Sequence, residues 1–266
     1  MKKQLLLPAL LLLGFTTVIT SCKKKKDDDV TPNPTNPVVQ TCTVERAITS
    51  TDSTQVTYDS NNRLIKDQTF NSTGSLRYAL YTYSPGKIVE QQYNQSGELY
   101  KQTDYHLNSN NVASYSVYIE DGDIENSDTT WYLYDGSNHN IRRATKNTST
   151  IPIIGTKTAT YDTTWYTYTG DNLTKIVDRN DDGDIETTVY SYGNDDAKSK
   201  FLSPGQEDSG IIGLFGNTSA KLPVSETSGS NTTKYDYTFN NEGYVTRYQE
   251  VTPTSTNITR YVYNCK

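Results

Sequence analysis

The stretch Asp162-Thr163-Thr164-Trp165-Tyr166-Thr167-Tyr168-Thr169-Gly170-Asp171-Asn172-Leu173 decides the fold. Alternation along an extended strand puts Tyr166 and Tyr168 on one face, and Gly-Asp-Asn supplies the positive φ of a tight hairpin turn. Leu173 then opens the return strand. The unit recurs as Tyr81-Thr82-Tyr83 before Ser84-Pro85-Gly86 and Ile88, and as Tyr132-Leu133-Tyr134 before Asp135-Gly136 and Ile141. Tyr190-Ser191-Tyr192 before Gly193-Asn194 and Tyr235-Asp236-Tyr237 before Asn240-Asn241-Glu242-Gly243 continue it. Val56-Thr57-Tyr58 is a weaker first copy and Tyr261-Val262-Tyr263 a truncated last one. Asp128-Thr129-Thr130-Trp131-Tyr132 and Glu186-Thr187-Thr188-Val189-Tyr190 repeat the longer prefix. Such spacing reads as an antiparallel meander in which each hairpin pairs with the next.

Composition explains why tyrosine carries the pattern. The chain has 266 residues, with 25 Lys+Arg against 31 Asp+Glu and a net charge of −6. Cutting before Cys22 removes Lys2 and Lys3, so 23 − 31 leaves −8, a dispersed acidity that excludes nucleic acid as a partner. Leu, Ile, Val and Phe make up 42 of the 245 residues after that cut, about 17 %, which alone falls in the disordered range. Adding 22 Tyr and 2 Trp lifts the total to 66, about 27 %, with side chains that tolerate half-burial. Abundant Thr and a single Met favour strands over helices.

The first 21 residues are a secretory signal peptide by pattern, with Lys2 and Lys3, an apolar run from Leu5 to Leu13, and Ile19-Thr20-Ser21-Cys22 at its end. The last four residues resemble a bacterial lipobox, which implies lipidation of Cys22 and a membrane partner reached through the lipid anchor only. Residues 22–41 read as a disordered tether: Lys23 to Lys26, Asp27 to Asp29, then a Pro/Asn/Thr stretch. Basic-then-acidic order after the cysteine resembles the export signal of Bacteroidetes-type surface lipoproteins. That implies an outer-membrane lipoprotein exposed on the cell surface, with the periplasmic face as the alternative.

Residues 42–266 read as a single all-β domain, an antiparallel meander of about 13 to 16 strands forming a long twisted or curled sheet, an open half-barrel. A two-layer β-sandwich is the alternative, since a sheet that long must twist, curl or split. Near 208–216, Asp208 or Ser209 caps a short helical, apolar insertion whose Ile211, Ile212, Leu214 and Phe215 plug the concave face. A mobile lid or docking loop is its other reading. Cys42 and Cys265 remain as an even pair in an oxidising compartment, and a disulfide is the simplest reading, against two buried free thiols. Tyr58-Asp59-x-x-x-Arg63-Leu64, Ser96-Gly97-Glu98-Leu99 and Asn241-Glu242-Gly243-Tyr244-Val245 resemble YD/RHS-type repeats. The whole layout is similar to Bacteroidetes lipoproteins of a domain family of unknown function, which brings no catalytic residues with it.

Asp178, Asn180, Asp182, Gly183, Asp184 and Glu186 reproduce the start of an EF-hand-like calcium loop, with Val189 where the bidentate Glu belongs. Asp-Gly turn chemistry accounts for the same residues without metal, so no cofactor is required and calcium is the one ion to test. Trp131 and Trp165 occupy equivalent repeat positions and either line a sugar-stacking platform or pack the core side of the sheet. Asp52-Ser53-Thr54, Asp128-Thr129-Thr130 and Asp162-Thr163-Thr164 resemble bacterial O-glycosylation sites. His106 and His139 read as solitary surface residues. With no nucleophile elbow and no phosphate-cradling loop, a non-catalytic envelope protein that binds a glycan or a protein partner, or plays a structural part, is expected. A carboxylate-dependent glycoside hydrolase is the enzymatic alternative.

Overall fold

The computed structural model describes residues 42–120, 127–151, 156–196, 198–204 and 210–265. The stretches read as a signal peptide (1–21) and a tether (22–41), Cys22 among them, and Asp208 and Ser209 lie outside these ranges. Sixteen strands follow one another: β1 Cys42–Ile48, β2 Asp52–Tyr58, β3 Leu64–Asn71, β4 Gly74–Ser84, β5 Lys87–Asn94, β6 Leu99–Leu107, β7 Ala113–Glu120 and β8 Asp128–Tyr134. The second half runs β9 Asn140–Ile151, β10 Thr156–Thr169, β11 Asn172–Arg179, β12 Ile185–Asp196, β13 Lys221–Ser228, β14 Asn231–Phe239, β15 Val245–Val251 and β16 Thr256–Cys265. Each pairs antiparallel with its neighbours in sequence, and β1 pairs with β16.

The meander is therefore a closed barrel, neither the open half-barrel nor the two-layer sandwich that the sequence suggests. Enough twisted strands bring the first edge round to the last, where closure pairs the backbone groups that two open edges would leave bare. Cys42 stands opposite Cys265 in that seam and the two form a disulfide, with Cα atoms 4.0 Å apart.

Hairpin turns among the described residues share one chemistry. An Asp or Asn side-chain oxygen at the first position accepts backbone N–H groups further round the turn, at Asp59, Asn94, Asn108, Asp135, Asn180 and Asn240. The fourth position takes positive φ, as Asn62 (59°), Asn111 (60°), Asn138 (61°) and Gly183 (87°), residues that tolerate the left-handed region.

At one end of the barrel the ladders stop short. Pairing of β3 with β4 begins at Lys66, of β7 with β8 at Tyr115, of β11 with β12 at Lys175 and of β15 with β16 at Arg247. Leu64, Ala113, Leu173 and Val245 thus open their strands with backbone groups unpaired on that side. The second tyrosine of the repeat supplies the missing donor. Tyr83, Tyr134, Tyr192 and Tyr263 donate their hydroxyls to the carbonyls of Leu64, Ala113, Leu173 and Val245 at 2.8, 2.6, 2.5 and 2.7 Å. The Tyr-x-Tyr motif is hence both an apolar inner face and a polar suture.

The segment between β12 and β13 fills this same end. The N–H groups of Ala113, Leu173 and Val245 donate to Leu214 O, Ser219 Oγ and Ser199 Oγ of that segment. Leu214 and Phe215 are buried against Ile88, Tyr105 and Ala113, and Leu202 packs on Leu222 and Val245. Leu214 and Phe215 plug this end as expected, with Ile211 packed beside them, but Ile212 is 54 % exposed, and the segment stops a lumen and does not fill a concave sheet. The expected helix is absent from 210–216, where successive turns hold Gly213 and Gly216 at φ 79° and 91°. Glycine at these positions weakens a helix, and the helical turn present is a 3-10 turn at Lys200–Leu202.

Candidate functional site

Two surfaces of the barrel gather chemistry. The first is the lumen beyond the plug. Alternation from the inward Ile88 turns Glu90 inward, and the register sets Glu90 opposite Tyr81 on β4 and Thr103 on β6. Glu90 is only 4 % exposed and accepts from Tyr105 Oη at 2.9 Å and Gln92 Nε2 at 2.7 Å. Tyr81 donates to Asp67 Oδ2 at 2.7 Å. Burial pushes both carboxyls above their ordinary values, Glu90 further through Asp67, while Tyr81 is driven well above the phenol range by burial and these two charges. Arg77 and Lys101 share the cavity of about 480 Å³ with Thr54, Thr69 and Tyr100. Dense donors and acceptors around buried carboxyls suit a hydroxylated small guest. No motif marks this cluster in the sequence, although the parity of Ile88-x-Glu90 points to it.

The second surface is the outer wall of β8–β11. Tyr132 packs on Phe215 of the plug, so by alternation Trp131 and Leu133 face outward. Trp131 is 45 % and Trp165 39 % exposed. The tryptophans therefore stand on the solvent side, against the core-packing reading. The inward partners of the same strands are acids: Asp162 accepts from Asn147 Nδ2 at 2.6 Å, Asp178 from Thr164 Oγ1 at 2.6 Å, and Asp128 from the Thr148 N–H at 3.0 Å.

That parity also separates the calcium candidates. Asp178 and Glu186 pair across β11 and β12 on the lumen face, Glu186 accepting from Ser228 Oγ at 2.5 Å. Asn180 Oδ1 accepts its own turn's Asp184 N–H at 2.8 Å, while Asp182 lies within the same exposed turn. The turn is one of these Asx turns, the Asp-Gly turn chemistry that the sequence also offers for these residues. Among the described residues no three His, Cys, Asp or Glu side chains gather as a metal-binding group.

One of the two histidines differs from expectation. His139 is buried, not superficial: it stacks on Tyr168 with ring centroids 4.3 Å apart, and its Nδ1 lies 3.3 Å from Asp135 Oδ2. It pins the plug to the wall through its bridge with Gly216. His106 stacks on Tyr115 at 4.2 Å on the outside.

Two solved structures share this architecture. A porin-like protein from Bacteroides uniformis ATCC 8492 superposes with a TM-score of 0.61 at 17 % identity, over 87 % of this chain and 99 % of that one. A porin-like protein from Bacteroides vulgatus ATCC 8482 gives a TM-score of 0.53 at 12 % identity, over 83 % and 98 %. The chain is similar in fold to porin-like barrels. At this identity the likeness extends to the fold alone. No protein-family model and no curated protein matches the sequence.

The outer face of the barrel carries charge. Lys66, Lys87, Arg142, Lys175, Arg179, Lys234 and Arg260 occupy outward positions around it, set by their register with exposed neighbours or by parity with inward tyrosines. A lipid-facing strand needs an apolar band, and each Lys or Arg at the bilayer midplane costs about 2 to 4 kcal/mol. Cationic side chains interrupt the outward face of the described strands.

Proposed function

We propose that the chain is a lipid-anchored, non-catalytic envelope protein whose barrel binds and does not conduct. The charged outer wall around a lumen stopped by its own chain carries this reading. A wall of that chemistry leaves Cys22 as the membrane attachment, on an outer-membrane protein standing clear of the lipid. Fractionation tests it: Cys22→Ala moves the chain from the membrane to the soluble fraction, and a variant still resistant to alkaline extraction overturns the reading by showing that the wall itself inserts.

One observation favours a second, narrower reading. Both tryptophans of the chain lie exposed on one wall, the arrangement a sugar-stacking platform needs. Glycan binding lost in Trp131→Ala and Trp165→Ala, with the fold retained by circular dichroism, supports it. Glycan binding unchanged in both variants removes it.

A further inference from the structure

The outer wall places its aromatic and cationic groups in a regular order. Trp131 on β8 stands level with Ala144 on β9 and Thr163 on β10, and Thr163 is level with Arg179 on β11. One step along, Leu133 on β8 is level with Arg142 on β9, Trp165 on β10 and Val177 on β11. Four consecutive strands thus present Trp131, Arg142, Trp165 and Arg179, one group per strand, as direct or diagonal neighbours. Strand spacing and rise put the backbone positions of the two tryptophans about 12 Å apart, a span that a short oligosaccharide covers.

Charge is sorted between the two faces of this sheet. The acids of β8–β11, Asp128, Asp162 and Asp178, are held on the lumen side by the hydrogen bonds given above. Arg142, Lys146, Lys175 and Arg179 lie outside, and among the described residues none of these has an ion-pair partner. A depression of about 520 Å³ beside them is lined by Tyr161, Thr163, Trp165 and Arg179, together with Asp181 of the β11–β12 turn. A chain of net charge −6 has therefore concentrated unpaired cations between exposed rings on one wall.

We propose that this wall binds an acidic polysaccharide, the rings stacking on sugar faces and the two guanidiniums pairing with carboxylate or sulfate groups along the chain. The inference rests on the glycan-binding reading and names its ligand class. Bidentate guanidinium geometry suits carboxylate and sulfate, and the indoles add stacking that a purely ionic surface lacks. A bilayer surface fits less well, because Thr129, Thr163, Thr167 and Thr187 interrupt the apolar groups. A duplex nucleic acid fits less well because four dispersed cations face it across acidic turns such as Asp181 and Asp182.

The test uses the full chain in detergent, titrated by calorimetry with polygalacturonate, alginate, heparin and dextran sulfate. Methyl-esterified polygalacturonate and unmodified dextran are the neutral counterparts, with duplex DNA and phosphatidylserine vesicles beside them. At least one acidic glycan is expected to bind about tenfold more tightly than its neutral counterpart. Arg142→Gln with Arg179→Gln, and separately Trp131→Ala with Trp165→Ala, each weaken it about tenfold or more, as central anchors do. Lys234→Gln on β14, three strands beyond β11, leaves it unchanged. Equal binding of acidic and neutral glycans overturns the acidic class and leaves the glycan-binding reading standing. Binding that survives the tryptophan changes, or DNA or vesicles bound more tightly than any glycan, overturns the inference. No binding to any glycan overturns both readings.

Discussion

Glu90 shows how one residue's parity sets its energetics. The inward register of β5 carries it into the lumen, where 4 % exposure raises its pKa by desolvation above the ordinary carboxyl value. A carboxyl raised in the folded state binds its proton more tightly there than in the unfolded chain. Its ionisation therefore costs stability at neutral pH, and the cost disappears as pH falls through the folded pKa toward the ordinary range. Glu90→Gln is expected to raise Tm by several degrees at pH 8, and the gap to close near pH 4, in paired calorimetric scans. A variant less stable than the parent at both pH values shows that the Tyr105 and Gln92 hydrogen bonds outweigh desolvation. The tyrosines run in the other direction of pH. Burial pushes Tyr83 and Tyr263 up to about 12, and Tyr134, Tyr168 and Tyr261 higher still. Stability from these neutral phenols is complete below the unfolded value near 10 and is lost as pH rises through the folded values. Unfolding between about pH 10 and 12, together with tyrosinate absorbance at 295 nm, is the expected record. Tyrosinate appearing well before loss of structure counts against it.

At the scale of elements, the hairpin and the plug are coupled by hydrogen bonds that cross between them. Tyr134→Phe removes the donor to the Ala113 carbonyl and is expected to cost about 1 kcal/mol in denaturant titration, whereas Tyr78→Phe on the outer wall costs nothing measurable. Gly216 is a sharper probe. It holds φ 91°, and an added Cβ would stand 2.3 Å from the Asn138 carbonyl oxygen, where the plug crosses the β8–β9 turn. Gly216→Ala is expected to destabilise by about 3 kcal/mol and to expose the plug to proteolysis before the strands. Gly213→Ala, left-handed at φ 79° but facing open space, is expected to cost about 1 kcal/mol. Equal effects at the two glycines would dissolve the crossing as a point of attachment. Much at this scale was legible beforehand. Tyr-x-Tyr fixed the strands, and Asp135-Gly136 with Asn240-Asn241-Glu242-Gly243 fixed their turns. The plug's role followed from its apolar content, but its backbone did not, because φ above zero at Gly213 and Gly216 cannot be told from a helix-ending glycine in sequence. The face of Trp131 was less legible. Its parity is opposite to that of Tyr132, yet alternation alone leaves open which parity is inside, and the polar character of both faces hides the answer. Asp67 and Glu90 meet only through Tyr81 on the strand between them, a contact that depends on register.

For the whole molecule the decisive event is closure, which strand count permits but does not dictate, since curling and splitting also relieve a long sheet's twist. What selects closure is the seam. β1 pairs with β16 from Cys42 opposite Cys265 to Ile48 opposite Arg260, with a bulge between Val44 and Arg46. The backbone ladder can hold the edges together in the folded state without help from sulfur. The disulfide acts mainly on the unfolded chain, tying residues 223 apart in sequence, for which loop entropy gives about 5 kcal/mol. Cys42→Ser with Cys265→Ser is therefore expected to fold into the same barrel. Its Tm should fall by about 10 to 20 °C, given roughly 2 to 4 °C per kcal/mol for a domain of this size. The contrary outcome is informative about mechanism: a variant with early amide exchange confined to β1, β2, β15 and β16 would mean that the sulfur bridge holds the closed state itself. The barrel would then be a sheet clasped at its ends, and reduction would act as an opening switch and not only as a loss of stability.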